Sequence, residues 1–201
     1  IPVLLLKGRG LVKTRQFSKP DYLGDPINIV KIFNDKEVDE LVLLDIAATV
    51  ENRPPQFDFL EQIVSECFMP VCYGGGLRRL DDVKRLFSLG IEKVAVNSYA
   101  VENPSFVTEI ADIYGSQAVV ASLDAKKKLM GGCELRTHSG RKGTGLDPVA
   151  FAKQMEAAGA GEILLYSIDR DGTMEGYDLA LVRTVASAVR IPVIACGGPE
   201  T

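Results

Sequence analysis

The stretch "PVCYGGGL", residues 70–77, ends a short apolar run in three consecutive glycines. The stretch "PVIACGGP", residues 192–199, repeats this pattern 122 positions further along the chain. A short apolar run is typical of a buried strand, and glycines after it allow another group to approach the backbone closely. The two stretches therefore predict two buried strands with equivalent ends, in an architecture that repeats within the chain.

Short apolar runs alternate with longer segments of helical period over the whole sequence. The predicted strands are Pro2–Leu6, Leu41–Ile46, Pro70–Tyr73, Lys93–Asn97, Ala118–Leu123, Ile163–Ile168 and Pro192–Ala195. The predicted helices are Pro26–Asn34, Phe57–Glu66, Leu80–Leu89, Pro104–Tyr114, Pro148–Ala158 and Leu179–Ala188. Apolar strands that alternate with helices indicate an α/β fold with a parallel sheet covered by helices.

Seven strands in 201 residues fit a (β/α)8 barrel, the TIM-barrel architecture, whose last unit is absent from the given chain. An open doubly wound sheet is the alternative. A dinucleotide-binding sheet of that type should carry G-x-G-x-x-G between its first strand and first helix. Residues 7–14 read "KGRGLVKT" instead and are followed by an extended segment, which disfavours the open sheet.

An internal repeat supports the barrel. When the chain is shifted by 122 positions, "DELVLLDI", residues 39–46, aligns with "GEILLYSI", residues 161–168, and Glu40 meets Glu162. A shift of 119 positions aligns Lys7 with Lys126. We therefore expect one barrel domain, residues 1–201, built from two half-barrels at 1–115 and 116–201. The carboxyl ends of all strands of such a barrel lie at one face, where the loops form the active site.

Composition excludes several classes of function. The net charge is −4 and there is no run of Lys and Arg, so binding to nucleic acid or to an anionic membrane is not expected. No apolar run is long enough to cross a bilayer. The four cysteines form no C-x-x-C pair, which favours reduced thiols and a cytoplasmic location; they are Cys67, Cys72, Cys133 and Cys196.

A single histidine limits the chemistry further. His138 lies in the glycine-rich stretch "HSGRKGTG", residues 138–145, which we interpret as a mobile lid or a plain linker. With one histidine, a multi-histidine metal site is nearly excluded, and the carboxylates Asp45 and Asp171 show no ligand spacing. We predict neither a metal nor a cofactor.

Glycines at the ends of two equivalent strands suggest phosphate binding. Glycine pairs before a helix expose backbone N–H groups and the positive end of the helix dipole to a ligand. The alternative is a tight turn with positive φ. The first predicted phosphate site contains Gly75, Gly76, Asn97 and Ser98, and the second contains Asp171, Gly172, Thr173, Gly197 and Gly198. Two such sites suit a small substrate with a phosphate at each end.

Four stretches resemble the cyclase subunit of imidazole glycerol phosphate synthase, the HisF family. They are "PVCYGGG" (70–76), "AVENPS" (100–105), "GSQAVVASLDAKK" (115–127) and "GAGEILLYSIDRDGTMEGYDL" (159–179). The resemblance implies a (β/α)8 barrel that binds a HisH-type glutaminase as a heterodimer at its strand N-terminal face. Ammonia from glutamine would pass through the barrel to a bis-phosphorylated substrate at the other face.

The resemblance also implies roles for individual residues. Asp124 matches the family's catalytic carboxylate, a general acid, and Lys13 matches a lysine of the flexible first loop. Glu40, Lys93 and Glu162 match a ring of charges that gates ammonia entry, and Glu92 would lie at the glutaminase interface. Without the family, the three gate charges can also be interpreted as ordinary salt bridges at strand starts.

One departure from the family affects the predicted reaction. Leu5 stands where the family has its general base, an Asp, and the internal repeat likewise pairs Leu5 with Asp124. Tyr166 replaces a small hydroxylated residue, and Cys196 replaces Ser. Loss of a general base typically lowers the rate about 10²–10⁴-fold.

We therefore favour a paralogue over the histidine-pathway enzyme. Relatives with "LLLK" (4–7) and "ECFMPxCYGGG" (66–76) occur with surface-polysaccharide genes and are thought to deliver ammonia to a nucleotide-activated sugar. As an enzyme, the chain is predicted to be an ammonia-dependent lyase/cyclase-type synthase subunit. The alternatives to the paralogue are the cyclase subunit of histidine biosynthesis and a non-catalytic scaffold that activates the glutaminase.

Overall fold

The computed structural model describes residues 1–198, and these form two compact units. The first unit contains Ile1–Lys13 and Pro20–Ala95. The second contains Thr14–Lys19 and the chain from Val96 onward. Of the predicted site residues, the first unit therefore holds Gly75 and Gly76, and the second holds Asp124.

The first unit is a parallel sheet with an antiparallel extension. Its strands are β1 (Val3–Lys7), most of β2 (Gly10–Arg15) and β3 (Ser18–Gly24), β4 (Leu41–Asp45), β5 (Val71–Gly74) and the start of β6 (Lys93–Val96). Its helices are α1 (Pro26–Asp35), α2 (Phe57–Val64) and α3 (Leu80–Ser88). Strands β1, β4, β5 and β6 pair in parallel, and β2 pairs antiparallel to β1.

Burial of the central strands explains their apolar sequences. Leu41, Val42 and Leu43 of β4 are all buried, because helices and neighbouring strands cover both faces of the sheet. The helix that precedes β4 begins where its sequence predicts. Asp25 caps α1 by accepting a hydrogen bond from the backbone N–H of Ile27 at 2.9 Å, and Pro26 occupies the first helical position.

The second unit has the same parallel strand–helix organisation. Its helices are α4 (Ser98–Glu102), α5 (Ser105–Tyr114), α6 (Pro148–Ala157) and α7 (Leu179–Ala186). Its strands are β7 (Val119–Lys127), β8 (Cys133–Thr137), β9 (Lys142–Gly143), β10 (Glu162–Ser167) and β11 (Val193–Cys196). Strand β10 lies between β7 and β11 and is parallel to both, whereas β8 and β9 extend β7 as an antiparallel hairpin.

The structure confirms the predicted α/β class. All seven predicted strands and six predicted helices are present, with ends that differ by at most four residues. Parallel strands that alternate with helices in both units are consistent with the (β/α)8 fold. The half-barrel boundary at 115/116 stays a prediction. Within residues 1–198, no helix is both long and apolar enough to span a membrane.

Two strand hairpins and one short helix were not predicted. Strands β2 and β3 form a hairpin where the sequence suggests only an extended segment, and α4 follows β6 directly. Strands β8 and β9 form a hairpin after β7, so Lys142 and Gly143 are strand residues within the stretch predicted as a lid or linker. These segments are short or largely polar, and their sequences lack a clear hydrophobic period.

Candidate functional site

Three side chains form a row at the carboxyl ends of the strands in the second unit. In the parallel register, Asp124 of β7 is opposite Tyr166 of β10, and Tyr166 is opposite Cys196 of β11. Side chains at paired positions of a parallel sheet point to the same face. Tyr166 is 7% exposed, and Asp124 and Cys196 are half-buried. The row therefore places a carboxyl, a phenol and a thiol side by side.

Asp124 has the electrostatic properties of a general acid. Burial raises its pKa from 3.8 to about 7, and the negative charge of Asp171 contributes in the same direction. A carboxyl group with this pKa is partly protonated at neutral pH, so it can both donate and accept a proton there. The sequence prediction of Asp124 as the catalytic acid is compatible with this environment.

Asp171 connects the segment Thr14–Lys19 to the same wall. Its Oδ2 accepts hydrogen bonds from Oγ1 of Thr14 at 2.7 Å and from the backbone N–H of Phe17 at 3.2 Å. Its backbone oxygen accepts a hydrogen bond from the N–H of Gln16 at 2.9 Å. The Phe17 ring then contacts Tyr166 edge to face, with ring centroids 5.2 Å apart. Asp171 thus anchors the segment that packs near Asp124, and its negative charge also raises the pKa of Asp124.

The phenol and the thiol of the row both retain their protons at neutral pH. Burial raises the pKa of Cys196 to about 12, with a further contribution from the charge of Asp124. Burial also raises the pKa of Tyr166 well above its usual value. A thiol of this kind is a poor nucleophile, since the thiolate is the reactive form. Asp124 is therefore the residue of the row that is suited to proton transfer.

The glycines of the second predicted phosphate site allow backbone segments to pack closely. Gly172, Gly197 and Gly198 all have positive φ, at 65°, 86° and 96°. A Cβ on Gly172 would collide with the backbone oxygen of Thr14, and one on Gly197 would lie 2.7 Å from the backbone oxygen of Ser167. Packing thus requires these glycines even without a ligand, and their phosphate role stays a prediction.

Hydroxyl and amide groups of the two predicted phosphate sites already have protein partners. Oγ1 of Thr173 donates a hydrogen bond to the backbone oxygen of Arg170 at 2.9 Å. Nδ2 of Asn97 donates to the backbone oxygen of Ser122 at 3.0 Å. Oγ of Ser98 donates to Oδ1 of Asn97 and accepts from the backbone N–H of His138 at 3.0 Å. His138 is a turn residue between β8 and β9, as predicted for a loop.

The first unit holds the other glycine pair. Gly75 and Gly76 have φ values of 129° and 71°, and a Cβ on Gly75 would lie 2.5 Å from the backbone oxygen of Asp45. The backbone N–H of Gly76 donates to Oγ1 of Thr49 at 3.3 Å. A cavity of about 260 Å³ adjoins Gly76, with a lining formed by Ala48, Thr49, Asn52, Arg53, Pro54, Phe57, Gly76, Arg78, Arg79 and Asp82.

Asp45 is engaged in a salt bridge near this cavity. Its Oδ2 lies 2.8 Å from Nη1 of Arg53, and its Oδ1 accepts hydrogen bonds from the N–H groups of Ala47 and Ala48. Leu5 occupies β1 in register with Leu44 of β4, within an apolar set of strands. Asp45 is therefore a structural carboxylate, and Leu5 offers no group that transfers a proton.

The predicted gate charges lie at the amino ends of strands. Nζ of Lys93 is 2.9 Å from Oε2 of Glu40, and both side chains are largely buried, with 19% and 12% exposed. Glu162 is the first residue of β10 in the second unit and is half-buried. Glu92 and Lys13 are exposed. The ion pair between Glu40 and Lys93 is thus present, and their role in ammonia entry stays a prediction.

Residues 1–201 match the family of histidine biosynthesis proteins. The chain belongs to this family. Among residues 1–198, which the structure describes, no three His, Cys, Asp or Glu side chains are grouped so as to hold a metal ion.

Similar proteins within the histidine biosynthesis family are provisionally named HisF subunits. The chain is 51% identical over 198 residues to imidazole glycerol phosphate synthase subunit hisF2 of Pseudomonas aeruginosa, covering 98% of this chain and 79% of that protein. It is 46% identical over 199 residues to subunit HisF of Leptospira borgpetersenii, with 98% and 78% covered. The same identity holds for subunit hisF3 of Vibrio vulnificus, with 98% and 76% covered.

Two features of this family member's site could not be predicted from the sequence. Thr14 and Phe17 contact the site from an extended segment, 154 or more residues before Asp171 in the chain. Neither residue type carries a signal for such a contact. Tyr166 could be noted only as a departure from the family, because its position beside Asp124 follows from strand register.

Proposed function

We propose that this chain is a HisF-type synthase subunit that uses ammonia from a HisH-type glutaminase on a small phosphorylated substrate. The observation that carries the proposal is the environment of Asp124. A carboxyl with a pKa of about 7, beside Asp171 at the carboxyl ends of parallel strands, is suited to proton transfer on a bound substrate.

The substrate is an activated sugar of surface-polysaccharide synthesis, and the chain is a paralogue of the histidine-pathway enzyme. Leu5 supports this assignment, because the histidine-pathway reaction needs a second carboxylate as general base and leucine cannot accept a proton. Addition of ammonia to an activated sugar does not need such a base. Asp124 protonates the oxygen atom that gains charge during ammonia addition and receives a proton from the new ammonium group.

Phosphate groups of the substrate bind at the glycine turns. Gly172, Gly197 and Gly198 in the second unit contribute backbone N–H groups, whereas the N–H of Thr173 donates to the backbone oxygen of Arg170 and Asp171 holds the turn in place. Asn97 and Ser98, which also belong to the second unit, contribute to phosphate binding. In the first unit, Gly75 and Gly76 adjoin a cavity with Arg78 and Arg79 in its lining, which supports binding of an anion there. Lys13 assists from β2.

Ammonia reaches the site from a partner at the amino ends of the strands. Glu40, Lys93 and Glu162 control its entry, and Glu92 contacts the glutaminase. The buried pair of Glu40 and Lys93 supports this role. Removing two charges from water costs free energy, so a buried ion pair often adds little to stability and can serve a function instead. The complex acts in the cytoplasm.

Growth of a histidine auxotroph that lacks its cyclase separates the two candidate substrates. The auxotroph receives the gene of the glutaminase partner together with either the wild-type gene or the Leu5→Asp variant. We expect no rescue by the wild-type chain, because the general base is missing. Rescue by the wild-type chain would show the histidine-pathway activity instead.

A purified complex tests the catalytic proposal against the non-catalytic scaffold. We expect the chain to co-purify with the glutaminase and to stimulate glutamine hydrolysis. In producing cells, Asp124→Asn should abolish the modified sugar while the complex still forms. Normal sugar modification by Asp124→Asn would show that the chain is a scaffold and that Asp124 is not catalytic.

A further inference from the structure

The hydroxyl group of Tyr166 has no hydrogen-bond partner among residues 1–198, although the residue is only 7% exposed. It is not one of the fully buried polar atoms that lack a partner in this part of the chain, so the hydroxyl itself keeps access to solvent. The Tyr166 hydroxyl is therefore available to a bound ligand.

Neighbouring residues hold the Tyr166 ring next to the residue that carries the catalytic carboxyl. Tyr166 is opposite Asp124 in the parallel pairing of β10 with β7, and the edge-to-face contact with Phe17 fixes the ring. The segment that carries Phe17 is anchored by Asp171, which also lies close enough to Asp124 to interact with its charge. The ring thus has little freedom to turn away from Asp124.

We propose that Tyr166 contacts the substrate, and that its hydroxyl and the carboxyl of Asp124 together bind the oxygen of a carbonyl group in a phosphorylated compound. The inference rests on the proposed function, since ammonia is a nucleophile that adds to an electrophilic carbon. Two donors aimed at one oxygen form an oxyanion-stabilising pair, which typically contributes a large share of catalysis.

The addition step balances without any further reactant. The nitrogen lone pair forms a bond to the carbonyl carbon, and the π electrons of the C=O bond move to the oxygen. The oxygen takes the proton of the Asp124 carboxyl, and the resulting carboxylate takes one proton from the new ammonium nitrogen. Tyr166 donates a hydrogen bond throughout and keeps its proton, consistent with its raised pKa.

The test compares Tyr166→Phe with a matched tyrosine variant in the complex with glutaminase. The control is Tyr73→Phe, because Tyr73 is fully buried on β5 and its hydroxyl also has no partner among the described residues. Both substitutions remove one hydroxyl and retain the ring. Ammonium chloride supplies the nitrogen, and the bis-phosphorylated substrate of imidazole glycerol phosphate synthase serves as the carbonyl probe.

Tyr166→Phe should lower kcat about 10²–10³-fold with little change in KM, as for loss of one oxyanion donor. Its pH profile should keep the limb near 7 that Asp124 produces. Tyr73→Phe should leave both constants unchanged. If the wild-type complex binds the probe without turnover, calorimetry should show binding weakened about twofold to tenfold in Tyr166→Phe alone.

Two results would overturn the inference. One is a Tyr166→Phe complex that matches the wild type in kcat and in probe affinity. The other is a wild-type complex that does not bind the probe, because the donor pair then does not recognise a phosphorylated carbonyl compound. Neither result decides the proposed function, which depends on glutamine hydrolysis by the complex and on Asp124→Asn in producing cells.

Discussion

The negative charge of Asp171 raises the pKa of Asp124, a half-buried carboxyl in the second half of β7. Removing that charge with Asp171→Asn should therefore lower the pKa of Asp124. The value should remain above 3.8, because burial is the larger cause and is unaffected. Carboxyl carbon NMR titration measures this directly. Asp169→Asn, in the same loop, is the control and should leave the pKa of Asp124 unchanged; an unchanged value in Asp171→Asn would contradict the coupling.

Asp124 should also make folding stability depend on pH. Its pKa in the folded chain, about 7, lies above the ordinary 3.8, so the folded state binds more protons between these values. The contribution of this group to the free energy of unfolding is therefore greatest below pH 4. It is lost as pH rises through 7, by on the order of 4 kcal/mol.

Urea unfolding of the wild type and Asp124→Asn at pH 5 and pH 8 isolates this effect. The variant has no titrating group at this position, so it should gain stability relative to the wild type as pH rises. The difference between the two proteins should be nearly constant above pH 8. A difference that does not change between pH 5 and pH 8 would mean that burial does not raise the pKa of Asp124.

The sequence predicted the parts of the fold that depend on hydrophobic period. Strands such as Leu41–Asp45 are continuous apolar runs, and helices such as Pro26–Asp35 begin at an Asp–Pro signal. The sequence predicts Asp124 as a site residue because it directly follows the apolar run 118–123, and this assignment stays a prediction. The internal repeat identified equivalent strand ends.

The surroundings of Asp124 could not be predicted in the same way. The contacts of Thr14 and Phe17 with Asp171 join segments far apart in sequence, and no local pattern encodes them. The register that places Tyr166 beside Asp124 depends on pairing of β7 with β10. The pKa of Asp124 depends on its burial and on the charge of Asp171, so the sequence predicts a role for this residue but not its protonation behaviour.

Gly172 should be required for its conformation and for the space around it. Gly172→Ala places a side chain at φ 65° and against the backbone oxygen of Thr14, so the segment 14–19 must move away from Asp171. Gly176→Ala is a matched control in the same loop, because Gly176 has φ 81° but open space around it. The control should lose about 1 kcal/mol.

Thermal and urea unfolding should show a greater loss for Gly172→Ala than for Gly176→Ala. Exchange of the Phe17 amide with solvent should also be faster in Gly172→Ala, because its hydrogen bond to Asp171 is disturbed. Equal losses in the two variants would show that only positive φ, and not the contact with Thr14, requires glycine at position 172.

The buried ion pair between Glu40 and Lys93 should contribute to stability and to the coupling of glutamine hydrolysis with amination of the substrate. Lys93→Met leaves the Glu40 carboxylate largely buried without its cation, which should reduce the free energy of unfolding by about 3 kcal/mol. Lys31→Met is the control, because it breaks a surface pair with Glu66; the two side chains are 56% and 44% exposed, and the change should cost less than about 1 kcal/mol. Adding Glu40→Gln to Lys93→Met should restore part of the loss.

In the glutaminase complex, Lys93→Met should lower the yield of aminated product per glutamine hydrolysed, whereas Lys31→Met should not. An unchanged yield in a folded Lys93→Met complex would contradict a role for this pair in ammonia entry.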